Sequence, residues 1–260
     1  MDRLLLVLST FCFLFGFGYT MYALGARVYH PSRTNLYAIV TGFALQTAFL
    51  YLRGQTVGRC PLTNLFEILV FMSWAMVLFY FAVGPAYRLS LLGAFTSPMV
   101  FLFQLVALLT PGIDIPATPR PANAWIELHA AISIVAYGAF ALACVAGAMY
   151  LAQERQLKTH HIRSIFYHLP PIRDLAVANR RLIALGLALL TVGIIAGFAS
   201  GNVWSHLWSA GVWLFYSIIL AAELRHQLSP RRGAWLSIVA FVAVLGTLWG
   251  LGLVQHGARS

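Results

Sequence analysis

Three histidines carry ligand chemistry in unusual places: His129, His206 and His256. A neutral imidazole can bind a metal or move a proton near neutral pH. Each of these three stands at the edge of a long apolar run. In NAWIELHAAISIVAYGAF (123–140), Trp125, His129, Ser133 and Tyr137 recur in four-residue steps. A helix there lines them along one face. Around the second histidine, Trp204 and Trp208 share a helical face, with Trp213 following. A carboxylate, Glu67, lies inside the apolar stretch LTNLFEILVFMSW, three residues after Asn64. An acid in such a setting is costly and marks either a function or a helix-locking hydrogen bond; Asn64, an outer arginine or a histidine could partner it. The cysteines, Cys12, Cys60 and Cys144, form no C-x-x-C or C-x-x-C-H pattern, so the chain is not a covalent haem carrier. Cys12 and Cys144 read as packing residues and Cys60 as a loop thiol.

The elements that position these side chains must be membrane helices. Of 260 residues, 60% are hydrophobic and 9% charged, with a mean hydropathy of +0.80. A soluble domain carries about 25% charged residues. Apolar runs of about 20 residues recur, enough to cross a bilayer core as helices, and none alternates as a barrel strand does. The reading is an all-α integral membrane protein of one polytopic domain with about eight spans: 4–25, 35–53, 63–83, 90–110, 125–153, 182–200, 206–223 and 234–254. The first run reads as a span rather than a leader, because Asp2 and Arg3 make a poor n-region and no cleavage-like site closes it.

Lysine and arginine set the orientation. The loops after spans 1, 3, 5 and 7 hold 12 of the 17 cations and the other side holds 5. The richer side is then cytoplasmic, and both termini face outward. The formal charge of +10 becomes a topology signal with attraction for anionic membrane lipid, and no nucleic-acid partner is expected. The polar segment 154–181, with His160, His161 and His168, reads as a cytoplasmic loop, an anchor or a docking site; Pro170-Pro171 breaks it and a helix restarts near Asp174.

This orientation puts His129, His206 and His256 at one outer level. Aromatic residues at such a level also form ordinary interfacial belts. A haem, however, needs an axial histidine, aromatic or apolar walls and cations for its propionates. His129 and His256 as metal ligands, Trp125, Trp204 and Trp208 as walls, and Arg59 and Arg120 in the outer loops meet that need. Zinc would accept three histidines too.

These segments resemble the cytochrome c assembly family. GRCPLTNLFEILVFMSW (58–74) is similar to its P-L-x-N-x-[FY]-E-x-L-x-F-x-x-W segment. AWIELHAAISIVAYGAFALACVAGAMYLAQERQLK (124–158) resembles its W-x-x-x-H span. Residues 169–201 resemble its RLI-x-LG-x-x-LLTxGI-x-x-G span, and 231–257 its closing span, which ends in a histidine. The resemblance implies a membrane protein holding non-covalent haem b (heme b) at its outer face, with two external histidines as axial ligands; these map onto His129 and His256. One segment departs. Haem-delivering members carry WG-x-x-W-x-WD-P-K-E-x-W, where this chain reads GFASGNVWSHLWSAGVWLFYS (197–217). Trp208 and Trp213 match its last tryptophans, the W-D-P-K-E core is missing, and His206 stands in the gap as a possible replacement ligand. This places the chain nearer the HemX and YpjD-like branch.

The expectation is a haem-handling protein of cytochrome c assembly in a bacterial inner membrane. Its partners would be haem, lipid and other cytochrome c biogenesis proteins. No covalent bond changes on it, so no enzyme is expected. The rival is a membrane regulator linked to tetrapyrrole synthesis, working through 154–181. A solute transporter is a third reading, with little support from mid-membrane acids or broken helices.

Overall fold

A computed structural model describes residues 2–25, 33–62, 64–87, 92–110, 123–159, 171–200 and 207–257. They form eight α-helices: α1 (Asp2–Gly25), α2 (Arg33–Val57), α3 (Leu65–Tyr87), α4 (Leu92–Leu109), α5 (Ala124–Thr159), α6 (Ile172–Ala199), α7 (Leu207–Leu224) and α8 (Pro230–Gly257). All but α4 are long and apolar enough to cross a membrane. The apolar described part of α4 runs only from Phe95 to Leu109. The large apolar side chains left on the outside, such as Phe11, Phe15, Val192, Ile195, Ile218 and Val242, form the surface that lipid covers.

The helix starts are written in the local sequence. Asn64 accepts the Glu67 N–H through its side chain at 2.9 Å, while its backbone carbonyl accepts from Ile68. An Asn N-cap with a Glu three residues on is a strong start signal. Asn123 does the same for α5, its Oδ1 3.0 Å from the Trp125 N–H. Ser229 and Pro230 open α8, with Pro at the first helical position, where a missing N–H costs nothing.

Helix α6 starts earlier than expected. Pro171 stands outside the helix at φ −51, ψ 137, and its carbonyl accepts from Asp174 and Leu175. Pro171 therefore launches the helix at once. At the other side, α5 continues to Thr159, held by a Lys158–Glu154 pair one turn apart at 2.7 Å. The expected polar loop 154–181 is thus helix over 154–159 and 172–181. Charge made it look like loop, but helix length is fixed by caps and not by the bilayer.

α5 is the axis of the bundle. Ala136, Ala139–Val145 except for minor exposure, Ala146 and Met149 are buried. Its main partner is α6, with α3, α8 and α4 around it. Glycines permit the close approaches, as in membrane interfaces generally. A Cβ on Gly138 would lie 2.6 Å from the Ala75 Cβ and 3.0 Å from the Met76 nitrogen. One on Gly147 would lie 2.8 Å from the Ser237 Oγ and 3.0 Å from the Ala234 carbonyl. Asn179 of α6 ties three helices together: its Nδ2 donates to the Ala143 carbonyl at 2.7 Å and the Ser237 Oγ at 3.0 Å. α1 packs on α2 and α4, α3 on α4, and α7 on α6 and α8.

Candidate functional site

The four-step face of α5 is real and meets two other helices. His129 is half-buried, and its Nδ1 lies 2.7 Å from the Gly193 carbonyl oxygen of α6. A carbonyl can only accept, so the proton of a neutral ring sits on Nδ1 and the lone pair on Nε2. That is how a metal-binding histidine is commonly held: one nitrogen donates to a carbonyl, which orients the ring and raises the basicity of the other. One turn deeper, Ser133 is buried, and its Oγ lies 2.8 Å from where a Cβ on Gly193 would be. Gly193 is therefore tolerated only because it has no side chain. Tyr137, another turn in, is buried close to Ser209 of α7. Below it the rings of Phe140 and Tyr216 stack at 3.8 Å and 4°, closing the α5–α7 seam. The His129 face of α5 thus meets α6 and α7.

Trp125, at the mouth, is 51% exposed, and Trp208, in the first turn of α7, is 43% exposed. Trp213 donates its indole N–H to Thr191 of α6 at 2.8 Å, so this tryptophan binds α7 to α6 instead of lining the mouth. His206, Trp204 and Arg120 lie outside the described residues, as do His160, His161 and His168. For His256 the backbone is described as part of α8 and the side chain is not. Its level follows from helix arithmetic. Gly147 of α5 meets Ala234 and Ser237 of α8, and the two helices run in opposite directions. At 1.5 Å per residue, the 18 residues back to His129 and the 19 forward from Ser237 to His256 both climb roughly 27–29 Å. The backbone at 256 therefore reaches the level of His129 to within about one turn.

A second polar group occupies the same end of the bundle. Glu67 is fully buried, and its Oε1 accepts from the Nε of Arg53, at the end of α2, at 2.9 Å. Arg53 was legible only as an outer cation; its pairing with Glu67 needed the fold. Arg59 is half-buried in the turn that follows α2. Nearby, burial first, then the charges of Glu127 and Glu67, push the Cys60 thiol above its ordinary pKa. A thiol so placed is a poor nucleophile. Cys144 is buried in the core of α5 and Cys12 is partly buried, and none of the three is in a disulfide. Among the described residues no three His, Cys, Asp or Glu side chains converge to hold a metal ion.

The donor set suits a haem better than a bare ion. It offers one anchored imidazole, indole surface at the mouth and an arginine-bearing rim, with no ring of carboxylates or thiolates. Gly193 and Ser209 were not singled out by sequence. The signal for the first was present, since Gly186 and Gly193 are seven residues apart on one face of α6 and are both buried.

The comparisons with known proteins agree with this architecture. The profile of the family described as Cytochrome C assembly protein matches residues 62–258. Protein HemX of Brevibacillus brevis is 29% identical over 187 residues, covering 72% of this chain and 67% of the relative. The cytochrome c biogenesis protein CcsA of Chlamydomonas reinhardtii is 24% identical over 83% of this chain and 65% of its own length. The CcsA of Synechococcus sp. (strain RCC307) is 28% identical over 87% and 85%. The chain spans about two thirds of the length of the first two. With three quarters of its length inside the family profile, this multi-pass membrane protein belongs to the cytochrome c assembly family.

Proposed function

We propose that the protein handles haem in cytochrome c assembly, holding non-covalent haem b at the end of the bundle where α5 begins. The observation that carries this reading is the 2.7 Å contact between His129 Nδ1 and the Gly193 carbonyl. It fixes the ring in the tautomer that presents Nε2 as a ligand. His256, on the stretch of α8 at about the same level, would be the second histidine to hold the haem iron, and His206 is a candidate to assist. Trp125, Trp204 and Trp208 offer aromatic surface to the macrocycle, and Arg59 and Arg120 offer charge to the propionates. When bound, the haem supplies the cargo; the chain's own residues bind, orient and shield it. The relatives named CcsA are described as cytochrome c biogenesis proteins, which supports the assembly role and partners from that machinery.

The arginine count supports both termini outside, with the haem end facing out, and the likeness to HemX of Brevibacillus brevis supports a bacterial inner (cytoplasmic) membrane location. The test is haem content after purification in detergent. His129→Ala and His256→Ala each lower it sharply, and the double variant removes it. Full retention by the double variant overturns the ligand assignment.

A further inference from the structure

The two halves of the bundle differ in what they bury. Of the buried polar residues among the described ones, ten belong to α1–α4 and five to α5–α8. In the first half they form a seam. Asn35, Gly42, Gln46 and Arg53 recur along one face of α2. Gln46 meets Ser73 of α3, Ser9 of α1 donates to the Gly42 carbonyl at 2.9 Å, and Gln104 of α4 bonds both Ser9 and Thr10.

Two carboxamide oxygens in this seam find no donor among the described residues: Gln46 Oε1 and Asn35 Oδ1. For Gln46 the orientation is fixed. Its Nε2 donates to the Val70 carbonyl at 2.9 Å and to Ser73 Oγ at 2.6 Å, and Ser73 donates its own proton to the same carbonyl at 2.8 Å. Exchanging the amide's nitrogen and oxygen would set carbonyl against carbonyl. Gln46 is fully buried in mid-helix, so Oε1 is an acceptor facing the interior. Asn35 is 8% exposed. Its Oδ1 lies 2.8 Å from where a Cβ on Gly16 would be, with Ser97 Oγ 3.6 Å from the same point. The nearby hydroxyls of Ser97 and Thr20 donate to carbonyls of their own helices. Gly16 thus leaves room beside an acceptor that has been given no donor.

A bare carboxamide oxygen in hydrocarbon is strongly disfavoured. A small donor with two or more polar neighbours removes that cost, and water is the one that fits. We propose that the α1–α4 half binds structural water at two levels, one at Gln46 and one at Asn35. The levels are eleven residues apart on α2, about 16 Å, and Arg53 is about 10 Å beyond Gln46. Together they span about the thickness of a bilayer core. The two levels lie on the face of α2 that ends at the Arg53–Glu67 pair, with the Phe13 ring packed against Gly42 between them. Ser133 and Tyr216 also carry oxygens without a partner among the described residues, but a hydroxyl rotates, whereas the Gln46 acceptor is fixed. Another such carboxamide oxygen, Gln153 Oε1, is next to Glu154 at the charged end of α5.

The test is water-edited solid-state NMR on the wild-type protein in lipid nanodiscs, with 15N-labelled Asn and Gln. Magnetisation starting on water reaches only side chains in contact with it. The Asn179 carboxamide, which donates to two protein acceptors in the other half, is the dry control, and Gln227, exposed beyond α7, is the wet one. Gln46 is assigned through the sole Leu–Gln step in the chain, Leu45–Gln46. Asn35 is assigned by loss of its signal in Asn35→Leu, or by its proximity to Gly16 if that variant does not fold. The expected result is build-up for Gln46 and Asn35 at the rate of Gln227. Build-up as slow as that of Asn179 at either position overturns the assignment at that level. The outcome is independent of haem binding.

Discussion

The α1–α4 and α5–α8 halves solve the same problem differently. Both must bring helices together in lipid, where burying apolar surface gives no advantage over leaving it in the bilayer. The second half does it with shape. Gly138, Gly147, Gly186 and Gly193 let α5 lie against α3, α8 and α6, and one carboxamide, Asn179, pins three helices. The first half does it with hydrogen bonds through Gln46, Gln104, Ser9, Thr10 and the Arg53–Glu67 pair. The difference teaches where function can be placed. A close-packed half gives a fixed frame for His129, because α5 and α6 approach so closely at Gly193 that any side chain there would strike Ser133. A hydrogen-bonded half tolerates polar groups at depth.

The largest break should come from the ion pair. Arg53→Met leaves Glu67 buried without its cation, and losing one member of a buried pair costs about 3–5 kcal/mol. Thermal or denaturant unfolding in detergent measures it. Replacing both residues with methionine should recover much of the loss, since a well-packed apolar pair can substitute for ions. An Arg53→Met variant as stable as the parent would show that the pair does not hold α2 to α3.

Next comes overpacking in the other half. Gly138→Leu drives a side chain into Ala75 and the Met76 backbone, and overfilled cores cost about 1–3 kcal/mol. The same change at Gly18, which has nothing within 4 Å of its Cβ position, should be close to neutral. Equal losses at both positions would contradict the packing account. A smaller effect is expected at Asn179→Ala, which removes two interhelical hydrogen bonds; such bonds average about 0.6 kcal/mol each in membranes.

The smallest effect is electrostatic. The Cys60 thiol is held above its ordinary pKa by burial and by Glu127 and Glu67. The thiolate therefore forms only at higher pH, and maleimide labelling should rise later along the pH axis than for a free thiol. Glu127→Gln removes one of the negative charges, so the labelling curve should move to lower pH. A curve that stays in place would separate Cys60 from this acid.

Much of the bundle was legible because membrane spans are written in apolar length. The spans expected at 4–25, 35–53 and 125–153 fall inside α1, α2 and α5. In the 154–181 segment the helix restart was legible, while charge hid the continuation of α5 to Thr159. The Pro170-Pro171 pair was the clue to an abrupt start, and the helix begins at Ile172, two residues before Asp174. In the site, the period of four residues identified the His129 face correctly. The Gly193 carbonyl was beyond reach, because a backbone acceptor 64 residues away leaves no side-chain signature. Arg53 was hidden for a related reason: several outer arginines were equivalent in sequence, and only helix register selects the one facing Glu67.

The most direct test is an absorption spectrum of the purified protein, oxidised and dithionite-reduced, with a pyridine haemochrome assay, beside the same measurements on His129→Ala. The account predicts a low-spin b-type spectrum near one haem per chain in the parent, and loss or high-spin conversion in the variant. A parent that stays free of haem after reconstitution, or a variant with an unchanged spectrum, would contradict it.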